Sequence, residues 1–154
     1  MKIAEKDIQQ RMDRFTTACR EAGAKLTHQR LEIFREVAQT GTHPDAEMVY
    51  QGVRQRMPTV SLDTVYRTLW WLKDLGLIHT LGTSRERTRF DANLDNHHHF
   101  ICTVCGRTQD FYSKKFDQLK MEKLVKDIGQ AEAIQVEIKG ICSTCAASKR
   151  SETM

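Results

Sequence analysis

The chain has 154 residues, a formal net charge of +4, a pI near 8.9, and 40% hydrophobic against 29% charged residues. That length holds one large or two small domains, and halves of under about 90 residues are marginal without a metal or a partner chain. No apolar run approaches the roughly 18 residues of a membrane span, and the opening MKIAEKDIQQRMDRF lacks a signal-peptide core, so no membrane is expected and a cytoplasmic place is. In that compartment cysteines are metal ligands or core thiols rather than disulfides. The mild basicity permits nucleic-acid contact without requiring it.

In chain order, Ile8, Met12, Phe15, Cys19 and Ala22 follow at helical steps and form one apolar stripe, which makes Cys19 a core thiol. Gly23 ends that helix. Thr27 caps the next, THQRLEIFREVAQ, with Leu31, Phe34 and Ala38 inward. Asp45 caps a third, with Ala46, Val49, Tyr50 and Val53 on its buried face, and Met57-Pro58 breaks it. Ser61 caps a fourth, SLDTVYRTLWWLKDLG, closed by Gly76. LIHTL and ERTRFD flank GTSR and read as a hairpin. Beyond Asp91 come short strands up to Tyr112, a helical stretch over 114–128 and a strand in AIQVEIKG. The fold class is α+β. A winged helix-turn-helix is expected over 1–90 and a small α/β domain over 91–154, with the boundary somewhere in 84–96.

Cys102-x-x-Cys105 and Cys142-x-x-Cys145 have matched spacing. A tetrahedral zinc ion takes four thiolates at about 2.3 Å, and each C-x-x-C turn presents two sulfurs to one ion. Gly106 supplies the tight turn after the first pair. Four closed thiolates leave no open position, which points to a structural role. Two redox pairs are the alternative, and neither has a thioredoxin-type strand–helix context.

A second cluster surrounds His97, His98 and His99. His97 and His99 face the same way if the segment is extended, and His98 faces away. Asp91 opens the same segment, Asp110 lies just past the first cysteine pair, and His43 sits in the hinge before the third helix; a solvated polar loop is the alternative reading. Such nitrogen and oxygen donors suit iron(II), manganese(II) or zinc.

On the fourth helix Leu62, Val65, Leu69 and Leu72 share one face, while Asp63, Tyr66, Arg67, Trp70 and Asp74 share another. A recognition helix has this division. Arg67 suits guanine and Tyr66 a thymine methyl or phosphate. Lys25, Gln29 and Arg30 suit backbone phosphate. Ser61 and Thr64, at the head of the helix, complete the expected DNA contacts.

From about residue 12 to residue 147, the segments LTHQR, HPDAEMVY, SLDTVYRTLWWLKDLGLI, RFD, HHHFICTVCG and GICSTC resemble, in that order, the ferric uptake regulator (Fur) superfamily. The resemblance implies a homodimeric repressor with a winged helix and a dimerisation domain, bound to an inverted-repeat operator in double-stranded DNA. Its structural zinc falls on Cys102, Cys105, Cys142 and Cys145. Its regulatory Fe(II) or Mn(II) falls on His43, Asp91, His97, His99 and Asp110, where a metal sets the angle between the halves. Aspartates at 91 and 110 are similar to the peroxide-sensing, PerR-like branch, in which bound Fe(II) and hydrogen peroxide modify a ligand histidine, here His97 or His43. Arg67 is similar instead to iron-uptake regulators, so an iron-responsive repressor is the alternative. An additional metal site of some members is expected to be missing, because Asn96 and Ile134 stand where histidines would, leaving Asp117 alone. Two other classes compete. A metalloenzyme using His97, His99 and an aspartate lacks an evident general base, and a metal-unresponsive zinc ribbon predicts DNA affinity indifferent to Fe(II) or Mn(II).

Overall fold

The computed structural model describes residues 3–81, 88–131 and 134–152. The chain forms two units, Met1–Leu94 and Asp95–Met154. Phe90 and Ala92 bury in the first unit's core.

In the first unit, α1 (Glu5–Glu21) buries Met12, Phe15 and Cys19, while Ala22, one place past its end, is exposed. Gly23 takes the left-handed backbone that lets the chain leave the helix (φ +63°). The hydroxyl of Thr27 accepts the Arg30 N–H and starts α2 (His28–Gln39), which buries Ile33, Phe34, Val37 and Ala38. Leu31 is only half-buried. Phe15 stacks on Phe34 with ring centroids 4.7 Å apart. Asp45 accepts the Met48 N–H at the head of α3 (Ala46–Arg54), which buries Ala46, Val49 and Val53 but leaves Tyr50 half-buried. Ser61 accepts the Thr64 N–H and starts α4 (Leu62–Asp74). The buried face of α4 is Val65, Thr68, Leu69 and Leu72, with Leu62 half-buried in the first turn. Strands β1 (His79–Leu81) and β2 (Arg89–Asp91) pair antiparallel, His79 opposite Asp91. The expected GTSR turn lies outside the described residues.

In the second unit, β3 (His98–Cys102) is the centre of a three-stranded sheet. It pairs antiparallel with β4 (Thr108–Phe111) and parallel with β5 (Glu137–Gly140). The expected helix over 114–128 is instead two single turns, α5 (Lys114–Asp117) and α6 (Glu122–Val125). Neither buries a residue, and Met121 gives α6 no side-chain cap, so nothing carries the helix across the gap. Among the described residues of AIQVEIKG, which exclude Ala133, the last four form a strand. A helix absent from the sequence expectations, α7 (Ser143–Glu152), ends the described chain.

The apolar core runs from Met12 to Ala92, entirely within the first unit. Among the described residues of the second unit, the buried side chains are His97, His98, His99, Cys102 and Thr108.

Candidate metal centres and DNA-facing surface

The four cysteines converge. Cys102 ends β3, and the parallel register sets it beside Gly140, so Cys142 arrives just beyond it. Gly106 (φ +74°) donates its N–H to the Cys102 carbonyl at 2.9 Å and closes the first knuckle. The Cys142 N–H donates to the Cys102 sulfur at 3.3 Å, and the Cys145 N–H to the Cys142 sulfur at 3.5 Å. The Cys105 and Cys142 sulfurs are 3.9 Å apart, and all four sulfurs lie within 4.8 Å of one another. A tetrahedron with metal–sulfur bonds of about 2.3 Å has edges of about 3.8 Å, so the donors fit zinc. Backbone N–H groups of Cys105 and Cys142 hold the Cys102 thiol down to about 6. The Cys145 thiol is pushed up to about 12, first by its hydrogen bond with Cys142 and then by burial. The backbone N–H groups thus favour negative charge on Cys102, while Cys145 holds its proton more tightly.

The second donor set is described within each unit. In the first, His43 adopts a left-handed backbone (φ +51°) in the turn before α3. That turn is tied to β2, since Arg89 donates to the His43 carbonyl at 3.1 Å and the Phe90 N–H to the Pro44 carbonyl at 2.9 Å. The tie brings His43 Nδ1 to 3.5 Å from Asp91 Oδ1, both residues being at most 4% exposed. The Asn93 N–H also donates to Asp91 Oδ1, at 2.9 Å, and fixes the carboxylate.

In the second unit His97 Nε2 and His99 Nε2 are 3.1 Å apart, and Asp110 Oδ1 lies 3.6 and 3.3 Å from them. Cross-strand pairing of His99 with Asp110 produces this approach. Two nitrogens bound to one ion at about 2.1 Å lie about 3.0–3.4 Å apart, so this trio suits a shared cation. The Asp95 carbonyl can only accept, so His97 must donate from Nδ1, which leaves its Nε2 lone pair on the side of Asp110.

His98, which alternation turns away from His97 and His99, is wholly buried on the opposite face of β3. Its Nδ1 accepts the Val136 N–H at 3.1 Å, and its Nε2–H donates to Asp117 at 2.9 Å. Asn96 also donates to that Asp117 oxygen, at 2.9 Å. The alternation that pairs His97 with His99 was the available signal, since a central strand has a buried reverse face. Phe111 and Phe116 pack there, with ring centroids 5.6 and 5.4 Å from His98.

On the first unit Lys25, Gln29, Arg30, Thr64 and Arg67 line an open cleft of about 500 Å³ with Trp71. Tyr66 lies beside it in a second cleft, of about 440 Å³, with Trp70. Arg67 pairs with Asp63 at 3.0 Å on an exposed face. The Ser61 hydroxyl is engaged with Thr64, accepting its N–H and donating to its hydroxyl at 2.8 Å.

Residues 21–139 match the model of the Ferric uptake regulator family. The peroxide-responsive repressor PerR of Staphylococcus epidermidis is 31% identical over 140 residues, which cover 90% of this chain and 92% of that protein. The ferric uptake regulator Fur of Helicobacter pylori, described as having three functional metal binding sites, superposes with a TM-score of 0.73 at 25% identity, over 90% of this chain and 93% of that one. A zinc uptake regulator complexed with zinc and DNA shares the fold, with a TM-score of 0.67 at 22% identity over 93% and 97% of the two chains. No described helix is long and apolar enough to cross a membrane. A family match across most of the chain, over a helical first unit and a sheet unit with clustered cysteines, places this protein in the Ferric uptake regulator family, as a metal-dependent, DNA-binding transcriptional repressor.

Proposed function

We propose that the chain acts as a cytoplasmic homodimer. It holds an inverted-repeat operator while Fe(II) or Mn(II) occupies His43, Asp91, His97, His99 and Asp110, and it releases the operator on reaction with peroxide. The first unit reads DNA and the second dimerises. The observation that carries the sensing role is the pair of half-sets, His43–Asp91 in the first unit and His97–His99–Asp110 in the second, each bringing hard nitrogen and oxygen donors together, with the three histidines and Asp91 buried. Only residues 92–96 separate Asp91 from His97 in the sequence. A ligand that needs donors from both units favours one arrangement of them, and therefore one spacing of two α4 helices in a dimer. The peroxide reading is supported by aspartate at both 91 and 110 and by the PerR relatives. Bound Fe(II) supplies the chemistry that turns hydrogen peroxide against an adjacent imidazole, His43 or His97. The role of His97 before that is to offer Nε2, held ready by its Nδ1–H bond to Asp95.

Dimerisation through the second unit is supported by its exposed apolar side chains, with Leu124 at 73% and Ile128 at 85% exposure. On DNA, Lys25, Gln29 and Arg30 contact phosphates, Arg67 reads guanine, and Ser61, Thr64 and Tyr66 approach the groove beside it. Arg67 leaves Asp63 at small cost, since exposed pairs of this spacing contribute about 0.3–0.5 kcal/mol.

Mass spectrometry after Fe(II) and hydrogen peroxide is expected to show one added oxygen on a peptide carrying His43 or His97, none with Mn(II), and loss of operator binding in gel shifts. Release of DNA with oxygen added only at methionines sinks the histidine mechanism. The iron-responsive reading, which Arg67 favours, predicts instead that Asp110→Glu leaves the response to peroxide unchanged.

A further inference from the structure

The cations of the first unit are not held alike. Arg67 pairs with Asp63, and Arg56 with Glu32 and Glu36. Arg30 is immobilised without being neutralised. Its Cζ lies 4.1 Å from the centroid of the Trp71 ring, closer than Lys73 over Trp70 (5.1 Å) or Arg54 over Tyr50 (5.9 Å). Its Nη1 donates to the Lys25 carbonyl at 2.7 Å. Its backbone is fixed as well, because its N–H is the one that caps on Thr27. Among the described residues no carboxylate pairs with it.

A guanidinium has five N–H donors in one plane. Here one is bound to a neutral carbonyl and one face is covered by indole, so the remaining donors keep a fixed direction and the full charge. Lys25 and Arg67 line the same cleft. A cation oriented at this cost in side-chain freedom, with its charge uncompensated, suits an anion brought from outside. On this surface that anion is a phosphate of duplex DNA.

We propose that Trp71 is a positioning residue for DNA binding, holding Arg30 in the orientation that meets one backbone phosphate. The proposal rests on the reading of α2 and α4 as the DNA-facing surface. It adds that an aromatic side chain outside the base-reading set governs affinity independently of sequence.

The test is a double-mutant cycle on the full, zinc-loaded chain with Mn(II), using fluorescence anisotropy on a mixed-sequence duplex of about three helical turns over a range of salt concentrations. Arg30→Ala is expected to weaken binding and to flatten the dependence of log affinity on log salt by about 0.9, the contribution of one phosphate. Trp71→Leu is expected to weaken binding about three- to ten-fold, the effect of freeing one rotamer-rich side chain. In the Arg30→Ala background it should cost nothing further, and Trp71→Phe should restore most of the loss. A purely structural Trp71 would give equal losses with and without Arg30, which overturns the proposal. An unchanged salt slope in Arg30→Ala overturns it as well. If the unsubstituted chain fails to bind any duplex, the DNA-facing reading itself fails. Should Trp71→Leu lower the melting temperature, Arg30→Lys replaces it. That variant keeps the charge and loses the planar face, so a comparable loss at an unchanged salt slope is expected, and no loss refutes the stacking role.

Discussion

Removing zinc should unfold the second unit and spare the first. The perturbation is either a strong chelator or Cys142→Ser, which deletes the sulfur that accepts the Cys145 N–H and lies 3.9 Å from Cys105. A unit of about 60 residues is ordinarily stable by about 3–9 kcal/mol. This one has less than usual to draw on, because Cys102 is its one buried apolar side chain among the described residues. Structural zinc on four thiolates is worth about 10–16 kcal/mol at neutral pH, more than the whole margin. Hydrogen exchange read by mass spectrometry is the direct assay. Amides of β3, β4 and β5 should lose protection in step with zinc release, followed with a chromogenic chelator, while α1 to α4 stay protected. Full protection of the sheet after one zinc per chain has left would refute the assignment of the cysteines as the unit's staple.

Four further outcomes follow from the same contacts. Zinc affinity should rise at least about ten-fold per pH unit from about pH 6 to about pH 8, because Cys145, pushed up to about 12, must surrender its proton to bind; competition titrations with a flat pH profile would contradict this. The sign for Cys102 agrees: held down to about 6, its contribution is present above the ordinary thiol value and is lost as pH falls through about 6. Phe34→Ala, which removes a wholly buried ring stacked on Phe15, should cost the first unit about 3–5 kcal/mol in urea unfolding. Asp117→Leu leaves the buried His98 Nε2–H without its acceptor and should destabilise the second unit by about 1–3 kcal/mol, seen as earlier exchange of the Val136 amide. Arg56→Ala strips Glu32, 7% exposed, of its partner and should lower first-unit stability by about 1–3 kcal/mol at pH 7, measured by urea unfolding.

The first unit was legible in the sequence wherever a local rule had a single solution. Thr27, Asp45 and Ser61 each accept the N–H three residues on, and Gly23 and Gly76 take positive φ at the ends of α1 and α4. The errors there are of depth: Tyr50 and Leu62 have helical spacing yet sit at the rim of the core. In the second unit period alone misled. Residues 114–128 have helix-forming composition but no residue of α5 or α6 is fully buried, so two isolated turns result. Helix α7 was illegible for a chemical reason. The group that caps its first turn is the Cys142 sulfur, accepting the Cys145 N–H, in a place where the eye looks for a hydroxyl or carboxylate. The spacing of the cysteines announced a zinc knuckle, while the fact that the knuckle also starts a helix came only with the structure.

The left-handed backbone at His43 has a consequence for how this protein can be improved. A non-glycine residue there costs about 1–2 kcal/mol, which glycine would relieve, as would asparagine in part. Glycine there would ease the backbone but would also empty the buried place of an imidazole 3.5 Å from Asp91, so the strain and the packing oppose one another at the same residue. If His43 is the ligand proposed above, the imidazole is retained at the cost of a backbone that glycine would adopt more readily.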